Sequence, residues 1–221
     1  MAIVTISRQF GSGGDEIANR VCENLGYRLF NKQMIEEAAV EAGITGVEVI
    51  DYSEESFKVR SFLDRLFSSI ATTEWMGFGP GGEALLTDVG VAQLDDANAL
   101  ELVKKAIFGG CRRGNMVIVG RGGQALLQDQ PHTLHVRIEA PLEERIQRVK
   151  EQLKQSRQVH YADIDLRREA QDLILSRDAA SAEYIKTYYH VAWDDPLLYH
   201  VMLNTGKLSL DQAVQVITSL V

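Results

Sequence analysis

A short apolar strand that breaks into a glycine-rich turn and restarts as a helix leaves a chain few choices of fold. Residues 1–25, MAIVTISRQFGSGGDEIANRVCENL, read that way. MAIVTI is apolar and rich in β-branched residues without clean alternation, the pattern of a strand covered on both faces. After the turn, Ile17, Val21 and Leu25 recur at four-residue spacing, and Gly26 stops the helix. A strand buried on both faces belongs inside a mostly parallel sheet with helices on either side.

The rest of the chain supports that reading. YRLF (27–30) is a second short strand, and Asn31 caps the next helix, KQMIEEAAVEAG, which Gly43 closes. From about 45 to 96 the periodicity weakens. SEESFKVRSFLDRLFSSIA reads as an amphipathic helix there, and GFGPGG (77–82) is a break that serves as a hinge or a plain loop. Regularity returns with the helix ANALELVKKAIFGGCRRG, the buried-type strand MVIVG and the strand TLHVRIEA. Pro141 then opens the helix PLEERIQRVKEQLKQ at its first turn. A charged, mobile-looking stretch (156–166) precedes the helix DLRREAQDLILSRDAASAEYIK. The strand YHVMLNT and a helix capped by Ser209 follow. Strands alternating with helices predict one α/β domain over 1–221, with ligands at the carboxyl ends of the strands.

What the opening loop can hold follows from its residues. Gly11, Ser12, Gly13, Gly14 and Asp15 allow consecutive amides to turn inward, and the helix aims its positive end at the same point. That is a phosphate site without a side chain; the bland alternative is a well-capped strand-to-helix turn. A phosphate loop usually adds a lysine and a hydroxyl residue, the first a mobile charge and the second a magnesium ligand. Here the corresponding place reads Gly13-Gly14-Asp15-Glu16, and Asp15 and Glu16 would repel a phosphate they faced. Arg8 is the nearest candidate to compensate. A dinucleotide fingerprint fits worse, because its third glycine would fall on Glu16.

Two further stretches carry chemistry. In VIVGRGG (117–123), Arg121 follows a buried-type strand, and its fork suits a phosphate or a base edge as well as a plain surface turn. In LSRDAASAEYIKTYY, Arg177 follows Arg167 and Arg168 on one long helix, a source of positive charge on a movable lid or of surface ion pairs. Tyr184, Tyr188, Tyr189, Trp193 and Tyr199 read as packing, with one available to stack on a base. Cys22 reads as core, and the five histidines show no metal spacing. A net charge of −8 argues against broad nucleic-acid binding, and no apolar run is long enough for a membrane span. A cytoplasmic protein is expected.

Three stretches together, VTISRQFGSGGDEIANRVCENLGYRLFNKQMI, VIVGRGGQALLQDQPHTLHVRIEAPLEERIQRV and YYHVAWDDPLLYHVMLNTGKLSLDQAVQVI, resemble the bacterial cytidylate kinase-like proteins. These are relatives of cytidylate kinase in the P-loop nucleoside monophosphate kinase group. The resemblance implies a three-layer α/β sandwich of the P-loop NTP hydrolase-like kind, with a helical acceptor-binding lobe inserted at 45–96 and a lid at 156–190. It implies ATP and Mg2+ as cofactors and places Gly11 to Asp15 at the phosphate loop. Cytidylate kinases carry lysine at the place of Gly14, whereas the cytidylate kinase-like branch tends to lack it. Arg121 matches an arginine that helps hold the acceptor nucleotide; the cytosine-reading aspartate after it is Gly122 here. Arg177 and Asp178 match an Arg-Asp pair near the transfer centre, and Lys186 stands near the place of a further lid arginine.

Three functions remain open on this reading. The first is ATP-dependent phosphoryl transfer to a nucleoside monophosphate, served by Arg8, Arg121, Arg177 and Asp178. The second is a nucleotide-binding sensor or regulatory module without turnover, favoured by Asp15 and Glu16. The third is a kinase for a small non-nucleotide acceptor, favoured by Gly122.

Overall fold

Five parallel strands line up in the order β2-β3-β1-β4-β5. They are β1 (Ile3–Arg8), β2 (Arg28–Leu29), β3 (Met116–Val119), β4 (Thr133–Glu139) and β5 (Val201–Asn204). The computed structural model describes residues 2–31, 34, 35, 37, 38, 96–156 and 163–221. The helices are α1 (Gly14–Leu25), α2 (Asp96–Arg113), α3 (Gly123–Leu126), α4 (Leu142–Ser156), α5 (Asp163–Tyr189) and α6 (Leu210–Ser219).

β1 is the central strand and shows why MAIVTI does not alternate in polarity. Its residues from Ile3 to Ser7 are all buried, because both faces are covered. Val4 and Ile6 pack with Ile17, Val21, Val136, Ile138 and Ile217 beneath α1 and α6. Ile3 looks the other way, into a second core with Ile107, Met116 and Ile118 beneath α2. Val4 and Ile6 are fully buried, a burial worth about 1.5–3 kcal/mol for each side chain. The third layer is thus set by a two-residue period on strands covered by helices on both sides.

The topology also locates the crevice. From β1 the chain runs outward to β2, while from β4 it runs the opposite way to β5, and β1 and β4 are neighbours in register from Ile3↔Thr133 to Arg8↔Ile138. Connections that leave adjacent parallel strands in opposite directions open a gap at their carboxyl ends. Gly11 to Gly13 stand at that gap.

Several expectations change in detail. YRLF pairs only through Arg28 and Leu29. The stretch 156–166 is not one unstructured segment: Ser156 ends α4 and α5 already begins at Asp163, running on to Tyr189, past the expected end. The added residues have partners: Asp163 pairs with Lys150 and Lys154 of α4, and Tyr188 and Tyr189 pack with Tyr184 and Trp193. The short α3 follows β3, and a 3-10 turn at Pro196–Leu198 precedes β5. Cys22 is half-buried at the edge of the α1 core rather than inside it. Asn31 accepts a hydrogen bond from the Met34 amide at 3.2 Å, as a cap should, and Ser209 forms a full capping box with Gln212. The amphipathic helix, GFGPGG, Gly43 and most of the 45–96 lobe lie outside the described residues.

The histidines are less bland than their spacing implied. His135 sits in β4 with its Nδ1 2.7 Å from the Thr5 hydroxyl, and its amide donates to His200 Nδ1 at 2.9 Å. The two rings stack 5.1 Å apart. Burial, reinforced by His200, pushes the His135 imidazole down to about 4. The unfolded chain takes up that proton near pH 6.5 and the folded one only near 4. Stability is therefore lost as pH falls through this window. Urea melts at pH 7.5, 6 and 4.5 should show this fall, and His135→Gln should flatten it; an unchanged slope in the variant would remove His135 from the account.

Candidate functional site

The turn after β1 is held from below by the strand next door. The Gln9 amide donates to Ile138 O at 3.0 Å, and its side-chain Oε1 accepts from the Ala140 amide at 3.1 Å. Ser12 N closes the turn on Gln9 O at 3.1 Å. Gly11 and Gly13 have φ of 79° and 83°, left-handed values that favour glycine. They also leave no room: a Cβ on Gly11 would lie 2.9 Å from Val149 Cγ2, and one on Gly13 2.8 Å from Leu210 Cδ2. α1 begins at Gly14 with no side chain capping it at Gly13. Its first-turn amides and the positive end of its dipole are therefore presented to whatever enters the gap.

That gap is a hollow of about 420 Å³ lined by Gly11, Gly13, Gly14, Gln147, Arg148 and Leu210, with Asp15 and Glu16 also on its wall. The two acids are neutralised by arginines. Asp15 accepts from Arg8 Nε at 3.1 Å, and Glu16 pairs with Arg20, which also reaches Asp211. Ser12 is fully buried, so its side chain points into the protein. Two of the loop amides are already engaged, Ser12 N within the turn and Phe10 N with Asp178 Oδ1 at 2.8 Å.

Asp178 does more than stand near the loop. Its second oxygen accepts from Arg145 Nη1 at 2.5 Å, and Arg145 also donates to Phe10 O at 3.3 Å. One carboxylate thus ties β1, α4 and α5 at a single point. Beside it, the Arg177 guanidinium lies 5.8 Å from the centre of the Phe10 ring, within cation–π range. Arg121 follows β3 with φ of 56°; its guanidinium stands 5.3 Å from the Phe30 ring and donates to Val119 O at 3.4 Å. Arg8, Arg121 and Arg177 are therefore all at the carboxyl end of the sheet. Lys186 is exposed on α5.

Four residues not assigned a role from sequence complete the site. Arg148 donates to Thr205 Oγ1 at 3.0 Å, Thr205 O at 2.7 Å and Gly11 O at 3.4 Å, while the Thr205 hydroxyl donates to Ser12 O at 2.6 Å. Arg145 and Arg148 are three apart on α4, so one helix face delivers both to the loop. Arg137 is buried within β4, where it donates to Glu139, Ser7 and Trp193 O and stacks 4.1 Å from the Trp193 ring. The one available signal was the i,i+3 pair of arginines on the helix after TLHVRIEA.

Gly122 is occupied in another sense. Its φ is 68°, and a Cβ there would fall 2.1 Å from the edge of the Tyr189 ring, whose hydroxyl donates to Arg121 O at 3.2 Å. A carboxylate side chain at 122 has no space.

The chemistry of the donor set decides how a cofactor would sit. Gly11, Gly13 and the start of α1 suit a polyphosphate. Asp15, Glu16 and Asp178 are each turned to an arginine, and among the described residues no three His, Cys, Asp or Glu gather as metal ligands. No described helix is long and apolar enough to cross a membrane.

The family model described as the cytidylate kinase-like family matches residues 3–207. The chain belongs to the cytidylate kinase-like family. That membership supports kinase-type phosphoryl transfer. Among solved structures, an uncharacterized protein from Eubacterium ventriosum matches with a TM-score of 0.62 at 19% identity, over 100% of this chain and 98% of that one. Shikimate kinase from Bacteroides thetaiotaomicron matches at 0.47 and 11% identity, over 99% and 97%. Shikimate kinase from Acinetobacter baumannii, in complex with shikimate, matches at 0.44 and 14%, over 100% and 92%. Among curated proteins, none matches significantly.

The two loop carboxylates should differ in what they hold together. Asp178 and Arg145 are mostly buried, with side chains 18% and 7% exposed, whereas Asp15 is 67% exposed. Asp178→Ala strands a buried guanidinium and the Phe10 amide, so it should destabilise by about 3–5 kcal/mol. Asp15→Ala should cost less than about 1 kcal/mol. Equal effects in chemical denaturation would refute the clasp.

Proposed function

We propose that this protein transfers a phosphoryl group from ATP to a nucleoside monophosphate. The observation that carries the reading is the uncapped start of α1, set behind two left-handed glycines at the mouth of a 420 Å³ hollow. Such a terminus is a ready anion site. ATP, when bound, supplies the phosphoryl group, with magnesium carried on its phosphates.

The chain's own residues bind, align and exclude water. Main-chain amides of Gly11 and of Gly13 to Asp15 hold the donor phosphates, with Arg148 at the edge of the same hollow. Arg8, Arg121 and Arg177 supply positive charge to the acceptor phosphate and the moving group, in proportions set by closure of the lid at 156–190. Asp178 seats the loop and Arg145 rather than touching substrate. The segment 45–96 serves as the acceptor lobe. Phosphoryl transfer asks mainly for positioning and charge, which suits a site rich in arginine and amides.

Two specific observations keep other readings in view. The acids in the first turn of α1, although paired with arginine, favour a nucleotide-binding sensor without turnover. The Tyr189 ring against Gly122 leaves no room for a carboxylate side chain at that position, which favours a broader or non-nucleotide acceptor.

A coupled assay with ATP and each nucleoside monophosphate separates these. Turnover should appear with at least one monophosphate and drop about 10³-fold or more in Arg177→Ala or Arg121→Ala. ATP binding with no turnover on any monophosphate would contradict the enzyme reading in favour of the sensor.

A further inference from the structure

Gly14 is a helical residue with nothing unusual required of its φ, so its conformation does not explain the glycine. Its surroundings do. A Cβ at this position would lie 2.6 Å from Arg8 Cβ and 2.8 Å from Arg8 Cγ, with Cδ at 3.6 Å. The first of these atoms is fixed to the strand backbone and cannot swing aside. The arginine's methylene stem therefore runs across the face of Gly14, in the space a side chain at 14 would fill. Its guanidinium emerges beside the first turn of α1, where Nε meets Asp15 Oδ1 at 3.1 Å. Arg8 is largely covered, with a side chain 13% exposed, while its partner Asp15 is 67% exposed.

We infer that Arg8 is this loop's polyphosphate-binding cation, that Gly14 is glycine to let its stem through, and that Asp15 is its resting partner. The inference rests on the reading of residues 11–15 as a polyphosphate cradle and adds which side chain serves it and how it is held in reserve. A charge delivered from the end of β1 reaches the helix start by a different route from one growing out of the helix itself. The two routes exclude each other sterically, since Arg8 Cβ and any Cβ at 14 would need the same volume. The Asp15 carboxylate is mobile enough to give way: it is exposed, and an exposed ion pair is weak compared with a guanidinium on phosphate. When a polyphosphate enters, Arg8 exchanges Asp15 for phosphate oxygens, and the first turn loses a repulsive neighbour at the same moment.

The test uses the full chain and titrates inorganic tripolyphosphate, then ATP, by calorimetry, with thermal melting of each variant alongside. Arg8→Ala should weaken tripolyphosphate by about ten- to a hundredfold, the range of a charge-assisted hydrogen bond, and Arg8→Lys should recover part of it. Asp15→Asn should tighten binding in the Arg8 protein and have no such effect in Arg8→Ala. That non-additivity separates release of Arg8 from the simple removal of a negative charge, which would tighten both. Gly14→Lys should lower the melting temperature and give no gain in affinity. Arg8→Ala that stays folded and binds tripolyphosphate like the parent would overturn the inference while leaving the cradle standing. So would an Asp15→Asn gain of equal size with and without Arg8. A parent protein that binds neither tripolyphosphate nor ATP would overturn the cradle and the inference together.

Discussion

One carboxylate sets the geometry of the whole carboxyl end of the sheet. Asp178 takes the Phe10 amide with one oxygen and Arg145 with the other, and so fixes the strand-to-helix turn against α4 and α5. Gln9 ties the base of the turn to β4, and Arg148 and Thr205 reach Gly11 O and Ser12 O on its far side; Asp178 closes the remaining side. A partly buried charge pair of this kind is weak evidence for stability in itself. Its value here is positional: it seats a glycine-rich turn whose Phe10 packs against Ile146, Val149, Ala170 and Ile174.

The consequence is a division of labour among arginines. Arg137 and Arg145 are buried and committed to structure, one to the tail segment at Trp193 and Tyr199, the other to Asp178. Arg148 joins the turn to Thr205, the residue where β5 gives way to the approach to α6. Among the contacts of Arg8, Arg121 and Arg177 are an exposed carboxylate, a strand carbonyl with the Phe30 ring, and the Phe10 ring. An overall charge of −8 therefore coexists with a cluster of arginines at the carboxyl end of the sheet.

The parts of this arrangement that are local in sequence were legible from it. The apolar β1, the glycine turn, the four-residue spacing of α1 and the caps at Asn31 and Ser209 each depend on neighbours a few residues away. The site's clasps do not. Phe10 and Asp178 are 168 positions apart, and Ser12 and Thr205 are 193 apart; no period or motif announces such pairs. Gly122 illustrates the limit best. The sequence shows only that a base-reading aspartate is replaced there, and the structure fills the space with Tyr189 from the end of α5. The extra length of α5 has the same origin, since Asp163 pairs with Lys150 of α4 and Tyr188 and Tyr189 pack with Trp193.

The central claim is that main-chain amides at the start of α1 receive phosphate. Amide chemical-shift mapping of the labelled protein with a non-hydrolysable ATP analogue tests it most directly. The account predicts the largest, saturable shifts at Gly11, Gly13, Gly14 and Asp15, with smaller ones at Arg148 and Thr205. Shifts centred elsewhere, for example around Lys105 and Arg112 at the opposite end of the sheet, with the glycine amides unmoved, would contradict it.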